Sequence, residues 1–380
     1  MPEKRYLMTP GPTPAPPQVL AALAAPVIHH RARDYRELFE TLLGRLGEVF
    51  MTKSNVLVYT CSGTGGMESA IVNVCSPGER VLCVSAGYFG ERFGEIARAH
   101  RCDVVDLRYE WGETPSPEDL RARLDETGAT VVLLTHSETS TGVVCDVQAL
   151  SAAAGDALVV CDAISSLGAV PLDTDGWGVD VVVSGSQKAL MTPPGLAVVS
   201  VSETAWERAP NATMARYYFE WERVRKAQAK FDAAFTPAVS LVAALNVALG
   251  LLLEEGLPAA FDRHLRLGRA CREGIKAMGL ELFSPDEDRS AVVTAVNTPE
   301  GIDSDELVAS IRDRFGITLA PGQGPLKGRI FRIGHIGYYD IFDITTALAG
   351  VELALAEAGA EIERGVAVGR ALEVFERMTV

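Results

Sequence analysis

Residues 179–188 read Val-Asp-Val-Val-Val-Ser-Gly-Ser-Gln-Lys, an apolar run that ends in small polar residues and a lysine. Short apolar runs are typical of strands that are buried on both faces of a sheet. Lysine is rarely buried without a partner, so Lys188 at the end of such a strand is unusual. Burial and nearby cations lower the pKa of a lysine, as a nucleophile that forms a Schiff base requires. Lys188 is therefore a candidate catalytic residue, although an exposed turn could also carry a lysine here.

Similar apolar runs precede and follow this strand, at residues 56–59, 81–85, 104–107, 131–135, 158–161 and 196–201. Apolar residues at helical spacing occupy intervening segments such as 34–50 and 67–74. Strands that are apolar throughout belong to a sheet that helices cover on both faces. The sequence therefore predicts an α/β protein with a mostly parallel, doubly wound sheet, and ligands are expected beyond the carboxyl ends of its strands.

Three segments are expected along the chain. Residues 1–16 form a proline-rich N-terminal arm, and residues 17–255 form the large domain, which closes with an apolar helix at 240–253. Residues 256–380 form a smaller C-terminal α/β domain. The elements expected in this domain are helices at 259–278, at 304–315 and from 340 onward, and strands near 280–283, 291–296 and 329–333.

A carboxylate directly follows a second apolar strand. Asp162 comes after residues 158–161, so its side chain is expected at the same sheet edge as Lys188. In a pyridoxal-5′-phosphate (PLP) site, such an Asp pairs with the pyridinium nitrogen and keeps it protonated. Asp162 alone could equally cap a helix or turn, whereas the pair of residues at neighbouring strand ends is more specific.

A glycine-rich turn, Ser62-Gly63-Thr64-Gly65-Gly66, lies between a predicted strand and a predicted helix. Such a turn presents free N–H groups to a phosphate. It fails the dinucleotide-binding pattern because Glu68 occupies the third glycine position, and no Gly-Lys-Ser/Thr follows as in a P-loop. The turn therefore favours a single phosphate, and a tight turn without any ligand is the alternative.

An arginine in the predicted small domain is a candidate for substrate binding. Arg332 lies in Phe331-Arg332-Ile333-Gly334, and a guanidinium binds a carboxylate with two parallel hydrogen bonds. An arginine on a surface strand is the alternative interpretation.

Composition excludes several classes of function. The chain has 35 Lys and Arg against 50 Asp and Glu, a formal net charge of −15, which argues against nucleic acids and anionic membranes as partners. No apolar run reaches a membrane span of about 20 residues, and no signal-peptide pattern opens the chain. The seven cysteines have no C-x-x-C spacing and are interpreted as small buried hydrophobes, so no metal site is expected. A cytoplasmic location is predicted.

Together these motifs resemble the class V aminotransferases of PLP fold type I, and most of all the alanine/serine–glyoxylate (serine–pyruvate) aminotransferase branch. The resemblance runs nearly end to end. Its further matching stretches are Thr9-Pro10-Gly11-Pro12-Thr13-Pro14, His30-Arg31, Thr139-Ser140-Thr141-Gly142, Ser184 to Leu190, and Thr236-Pro237.

The resemblance implies how the cofactor ring would be held. Lys188 would carry PLP as a Schiff base and Asp162 would hold the pyridinium N–H. Phe89 matches the aromatic residue that stacks on the ring, Ile164 would press on the opposite face, and Thr139 would hydrogen-bond near the phenolic oxygen.

The resemblance also assigns the phosphate site. Ser62, Gly63, Thr64 and Gln187 would bind the phosphate, together with Thr236 of a partner subunit. Each active site would thus be built from both chains of a homodimer.

One position departs from the pattern of the family. Some members have a tyrosine three residues before the position of Thr236, where this chain has Ala233.

The resemblance also assigns the substrate site. Arg332 would bind the substrate α-carboxylate and Gly11 would line the same pocket. A second arginine motif for a distal carboxylate is not evident, although Arg31 or Arg33 could reach the site.

The implied activity is transfer of an amino group from alanine or serine to glyoxylate or pyruvate in a ping-pong cycle. Aspartate or 2-aminoethylphosphonate as the donor is the alternative within the family. A cysteine desulfurase is disfavoured because residues 318–330 contain no cysteine and Phe89 stands where those enzymes use histidine. A dehydrogenase and a non-catalytic PLP-binding module are the remaining alternatives.

Overall fold

The computed structural model describes residues 4–285 and 290–378. The strands among these residues are β1 (Tyr6–Leu7), β2 (Asn55–Tyr59), β3 (Arg80–Ser85), β4 (Asp103–Arg108), β5 (Val131–Thr135), β6 (Ser137–Glu138), β7 (Val143–Val144), β8 (Leu158–Asp162), β9 (Val181–Gly185), β10 (Ala197–Val201), β11 (Val293–Asn297), β12 (Ile317–Thr318), β13 (Ala320–Pro321) and β14 (Ile330–Gly334).

The α-helices in the same ranges are α1 (Pro17–Ala24), α2 (Arg33–Phe50), α3 (Gly63–Val74), α4 (Tyr88–Ala99), α5 (Pro117–Thr127), α6 (Val147–Ala154), α7 (Glu203–Arg208), α8 (Trp221–Gln228), α9 (Val239–Glu255), α10 (Leu257–Ala277), α11 (Ser304–Phe315), α12 (Ile341–Glu357) and α13 (Ala367–Arg377).

A seven-stranded sheet forms the centre of the large domain, in the order β2-β10-β9-β8-β5-β3-β4. Strand β10 is antiparallel to both of its neighbours, and the other strands run parallel to one another. Alternate residues of a strand serve opposite faces: Val132 and Leu134 belong to one apolar core cluster, Val131 and Leu133 to another. Both faces of the sheet are therefore buried, and the predicted mostly parallel, doubly wound sheet is confirmed.

Local signals set the ends of several helices. The hydroxyl of Ser116 accepts a hydrogen bond from the N–H of Asp119, and Pro117 occupies the first position of α5. The helix ends at Gly128, whose φ of 65° is left-handed and suits glycine.

The C-terminal part of the chain has its own three-stranded antiparallel sheet, β11-β14-β13. Residues of α10, α11, α12 and α13 pack in one apolar cluster with this sheet. The strand expected near 280–283 is wrong, because Leu282 makes only an isolated bridge to Val296. The proposed division at residue 255 stays a prediction; α9 contributes most of its buried apolar residues to the core of the large domain.

The N-terminal arm contacts both parts of the chain. Strand β1 pairs in parallel with β12, and the N–H of Gly334 bonds to the carbonyl of Met8. Further along, the N–H of Thr13 bonds to the carbonyl of Gln187, and its hydroxyl bonds to the carbonyl of Lys188. The arm therefore brings Gly11 to the carboxyl edge of the large sheet.

Among the described helices, none on its own has both the length and the apolar composition of a membrane span. Helices α9 and α10 have them only when the two are taken together, and they are bent by 87° at their junction.

Candidate active site

The carboxyl ends of β8 and β9 meet at one pocket. Asp162 is the last residue of β8 and pairs in register with Val183 of β9, and Lys188 follows three residues after the end of β9. The pocket is lined by Gly11, Pro12, Ser62, Gly63, Thr64, Met67, Phe89, Arg92, Ser137, Asp162, Ile164, Ser165, Gln187, Lys188 and Pro194. Nine of the twelve residues that the sequence predicted for the site thus lie together; Thr139, Thr236 and Arg332 do not line this pocket.

Lys188 is half-buried in the pocket. Its pKa is lowered to about 8; burial is the largest cause, the carboxylate of Asp162 opposes the shift, and the charges of Arg332 and Arg92 contribute to it. The Nζ atom donates a hydrogen bond of 3.0 Å to the carbonyl oxygen of Pro10. A lysine with this pKa is neutral in a substantial fraction of molecules near neutral pH, as a nucleophile or general base requires.

Asp162 is buried, and burial raises its pKa to about 7. The N–H of Ile164, which donates to Oδ1 at 2.8 Å, opposes this shift. The charge of Glu138 contributes to the upward shift, whereas the charges of Lys188 and Arg92 oppose it. An acid and an amine whose pKa values are displaced towards each other in one pocket are typical of a functional site.

The glycine-rich stretch forms the first turn of α3, so the helix begins at Gly63 and not at the expected Met67. Ser62 is the N-cap residue, yet its hydroxyl makes no capping hydrogen bond. The first N–H groups of a helix have no partner within the helix, so they and the Ser62 hydroxyl can receive an anion. At Gly63 a Cβ would come within 2.5 Å of Ile164 Cδ1, so only glycine allows this close approach.

Gln187 is the second group with unused hydrogen-bonding capacity in the pocket. Its Oε1 atom is buried and has no hydrogen-bond partner among the described residues. Buried polar atoms are normally satisfied, so an orphaned amide in a pocket wall indicates a ligand that completes it.

Arg332 lies on β14, is buried, and is close enough to Lys188 for its charge to lower the pKa of that lysine. Its Nε and Nη2 donate to the carbonyl oxygen of Pro321 at 3.1 and 2.8 Å, and its Nη1 donates to that of Thr139 at 2.7 Å. Burial lowers the pKa of Arg332 to about 10. These three bonds fix the orientation of the guanidinium, and two of its five N–H groups are left for another acceptor.

Thr139 and Thr236 both lie outside the residues that line the pocket. Thr139 is buried and contacts Arg332 through its carbonyl. Thr236 is exposed and lines a surface hollow with Val27 and Ile28. The single chain therefore does not bring Thr236 to its own Lys188.

The two arginines considered for a distal carboxylate also lie elsewhere. Arg31 is 3.3 Å from the carboxylate of Asp232, and Arg33 is 2.6 Å from that of Glu37. Neither arginine lines the pocket.

Sequence reasoning missed Arg92, which lies three residues after Phe89 on α4. Its guanidinium is 5.0 Å from the centre of the Phe89 ring and 4.9 Å from that of Tyr88. Arg92 has no ion-pair partner in the part of the chain that the structure describes. The available signal was the spacing, because residues three apart on a helix share a face.

No cysteine lines the pocket within the described ranges. Cys61, directly before the glycine-rich turn, is half-buried, and burial raises the pKa of its thiol to about 12. This thiol is therefore protonated near neutral pH and is a poor nucleophile.

Comparison with known proteins identifies the family. The profile of the family described as "Aminotransferase class-V" matches residues 5–327. The "Soluble hydrogenase 42 kDa subunit" of Anabaena cylindrica is 42% identical over 99% of this chain and 100% of that protein. The "Serine--glyoxylate aminotransferase" of Methylorubrum extorquens is 34% identical over 97% of this chain and 96% of that protein.

The crystal structure of ureidoglycine–glyoxylate aminotransferase from Bacillus subtilis superposes with a TM-score of 0.94 at 32% identity, covering 99% of each chain. This chain therefore belongs to the class V aminotransferases, a family of PLP-dependent enzymes with fold type I. The predicted family, fold and cofactor are confirmed.

The residues present fit PLP. The uncommitted hydroxyl of Ser62 and the helix N-terminus at Gly63 form an anion-binding set. Lys188 and Asp162 lie in the same pocket as this set, and a cofactor with an aldehyde, a ring nitrogen and a phosphate needs all three kinds of partner.

Proposed function

We propose that this aminotransferase moves an amino group from a small amino acid, alanine or serine, to a 2-oxo acid, glyoxylate or pyruvate, in a ping-pong cycle. The observation that carries the proposal is the convergence of Lys188, Asp162 and the Ser62–Thr64 turn on one pocket, with the charge of Arg332 close enough to lower the pKa of Lys188. The pocket residues suit a cofactor, and the N–H groups that Arg332 has left suit the carboxylate common to all α-amino acids.

Bound PLP supplies an aldehyde that condenses with amines and a ring that withdraws electrons from the substrate Cα. Lys188, once free, removes the Cα proton and returns it as a general acid, a role that its lowered pKa favours. Asp162 would hold the proton on the ring nitrogen and would itself be stabilised in its charged form by that pairing.

Three further groups position the reactants. Ser62, Gly63 and Thr64, together with Gln187, bind the phosphate through hydroxyl, amide and backbone N–H groups. Phe89 and Ile164, which both line the pocket, hold the ring between apolar surfaces. Arg332 binds the substrate α-carboxylate with the N–H groups that its bonds to Pro321 and Thr139 leave free, and Gly11 lines the pocket.

The same proposal includes a homodimer with shared active sites, in which Thr236 of one chain completes the phosphate site of the other. Support comes from the apolar surface around Thr236. Val27 is 74% exposed and Tyr217 is 67% exposed, and Tyr218 stacks on Phe235 with ring centroids 5.0 Å apart. Large apolar side chains exposed together are typical of an interface with another protein surface.

A second donor class is favoured by one observation. Arg92 places a second cation in the pocket without an ion-pair partner in the described residues. A donor with a distal anionic group, aspartate or 2-aminoethylphosphonate, would supply that partner.

The two donor classes are separated by one experiment. Each of alanine, serine, aspartate and 2-aminoethylphosphonate is offered with each of glyoxylate, pyruvate and 2-oxoglutarate, and kcat/KM is measured. We expect alanine or serine, with glyoxylate or pyruvate as the acceptor, to give the highest kcat/KM. An anionic donor could instead give the highest kcat/KM. If that value falls in an Arg92→Leu variant while alanine turnover is retained, the anionic donor class replaces alanine and serine.

A further inference from the structure

The first turn of α4 is held by a carboxylate from a distant part of the chain. Glu138 is 1% exposed. Its Oε2 accepts hydrogen bonds of 3.0 Å from the N–H groups of both Phe89 and Gly90. Its Oε1 accepts from the N–H of Ser140 at 3.1 Å and from the Ser140 hydroxyl at 2.5 Å. Both carboxylate oxygens are therefore saturated with donors inside the protein.

Two neighbouring contacts complete this cap. The N–H of Tyr88 donates to the Ser140 hydroxyl oxygen at 3.0 Å, so three consecutive N–H groups of α4 are bonded to residues 138–140. A Cβ at Gly87 would lie 2.5 Å from Glu138 Cγ and 2.6 Å from the Ser140 hydroxyl, so glycine at this position makes room for the carboxylate. A negative charge at a helix N-terminus is also stabilised by the helix dipole.

The capped turn carries two pocket residues. Phe89 is among the residues whose N–H groups Glu138 binds, and Arg92 follows one turn later. The segment that supplies the cap also touches the residue proposed for the substrate carboxylate, because the Thr139 carbonyl accepts from Arg332 Nη1 at 2.7 Å. Residues 138–140 therefore link the aromatic wall of the pocket to Arg332.

We propose that Glu138 is a positioning residue for the amino transfer: it fixes the start of α4 and so holds Phe89 against the cofactor ring, and through the adjoining Thr139 carbonyl it orients Arg332. This inference rests on the function proposed above. Glu138 does not line the pocket, so its effect on cofactor and substrate passes through these two residues.

The electrostatic setting agrees with an acceptor role. Burial raises the pKa of Glu138, and the hydrogen bonds from Ser140, Gly90 and Phe89 oppose that shift. Glu138 also raises the pKa of Asp162, so removing its charge changes the pocket electrostatically as well as geometrically.

The variants are chosen to separate these effects. In Glu138→Gln the amide oxygen can still accept from Phe89 and Gly90, and the amide N–H can donate to the Ser140 hydroxyl, so the charge is lost and most of the cap stays. Glu138→Ala loses both. Glu95→Gln, at an exposed residue of the same helix, is the matched control.

Three quantities are measured on each purified protein: the PLP dissociation constant by equilibrium dialysis, the visible circular dichroism of the bound cofactor, and kcat and KM for the amino donor. We expect Glu138→Ala to weaken PLP binding about tenfold or more, to reduce the dichroic band and to raise the donor KM. Glu138→Gln should lie between Glu138→Ala and wild type, and Glu95→Gln should match wild type.

A double-mutant cycle tests whether Glu138 acts through Phe89. If it does, Glu138→Ala weakens PLP binding less in a Phe89→Leu background than in wild type, because coupled residues are not additive. If Glu138→Ala does not fold, Glu138→Asp replaces it in the cycle, because the shorter side chain keeps the charge but draws the carboxylate away from the N–H groups of Phe89 and Gly90.

Equal losses in the two backgrounds would overturn the inference. A folded Glu138→Ala protein with PLP affinity, dichroism and donor KM within about twofold of wild type would also overturn it. Wild-type protein that binds no PLP at Lys188 would instead overturn the proposed function, and this inference with it.

Discussion

Gly11 lies so close to Lys188 that a Cβ at position 11 would come within 2.3 Å of the lysine Nζ. The φ of Gly11 is +151°, a conformation that other residues rarely adopt. The arm thus passes directly over the candidate catalytic lysine, and only glycine permits that path.

The first prediction follows from this contact. Gly11→Ala should displace Lys188 or the arm and reduce borohydride-trapped PLP per chain severalfold, with a similar loss of turnover. Gly44→Ala is the control, because that helical glycine has no atom within 4 Å of an added Cβ. Full cofactor trapping and full activity in Gly11→Ala would show that the arm does not confine Lys188.

The second prediction concerns Asp162 and pH in the cofactor-free protein. Its pKa is raised from 3.8 to about 7, so between about pH 4 and pH 7 the folded state binds more protons than the unfolded state. The free energy of unfolding therefore falls as pH rises through this window. Asp162→Asn should lack this contribution, and denaturant titrations at several pH values measure the difference between the two proteins. A difference that does not change from pH 4 to pH 7 would contradict the raised pKa.

Asp162→Asn should also separate cofactor binding from catalysis. Its amide cannot hold the ring nitrogen protonated by charge, so most activity should be lost while PLP still binds. Near-normal turnover of this variant would exclude the proposed role.

The third prediction is that Arg332 recognises the substrate α-carboxylate. Arg332→Lys keeps a charge but loses the planar fork. The loss of a charge-assisted contact costs about 1.5–3 kcal/mol, or roughly ten- to a hundredfold in kcat/KM. PLP affinity and turnover of a simple amine without a carboxylate should hardly change, and equal damage to both substrates would place the carboxylate site elsewhere.

The sequence predicted the large sheet and its reactive edge well for a physical reason. Apolar β-branched runs such as 131–135 and 181–183 are buried on both faces, and parallel strands bring Asp162 and Lys188 to one edge without any further information. The glycine-rich stretch was identified from its place between a predicted strand and a predicted helix, although it forms the first turn of α3 itself.

What the sequence did not predict depends on tertiary contacts. Glu138 has no local signal, because the N–H groups it binds lie 48 and 49 residues away. Segment 280–283 has strand-like composition but makes only a single isolated bridge, from Leu282 to Val296. Thr236 lies on the surface, and its place was implied by family resemblance alone.

The fourth prediction tests the shared active site. Thr236→Ala should weaken PLP binding although Thr236 lies outside the pocket of its own chain. Mixed dimers of Lys188→Ala and Thr236→Ala chains should regain wild-type PLP affinity in one of their two sites, since that site combines the intact Lys188 of one chain with the intact Thr236 of the other. Mixed dimers in which neither site has wild-type PLP affinity would refute the arrangement. A protein that sediments as a monomer and is active in that state would also refute it.

The most direct test of the account is to locate the lysine that carries the cofactor. Wild-type protein loaded with PLP is reduced with borohydride, digested and mapped by mass spectrometry, with a Lys188→Ala variant in parallel. The account predicts the reduced cofactor on the peptide containing Lys188, with no trapped cofactor and no amino transfer in the variant. Reduced cofactor on any other lysine, or turnover in Lys188→Ala, would contradict it.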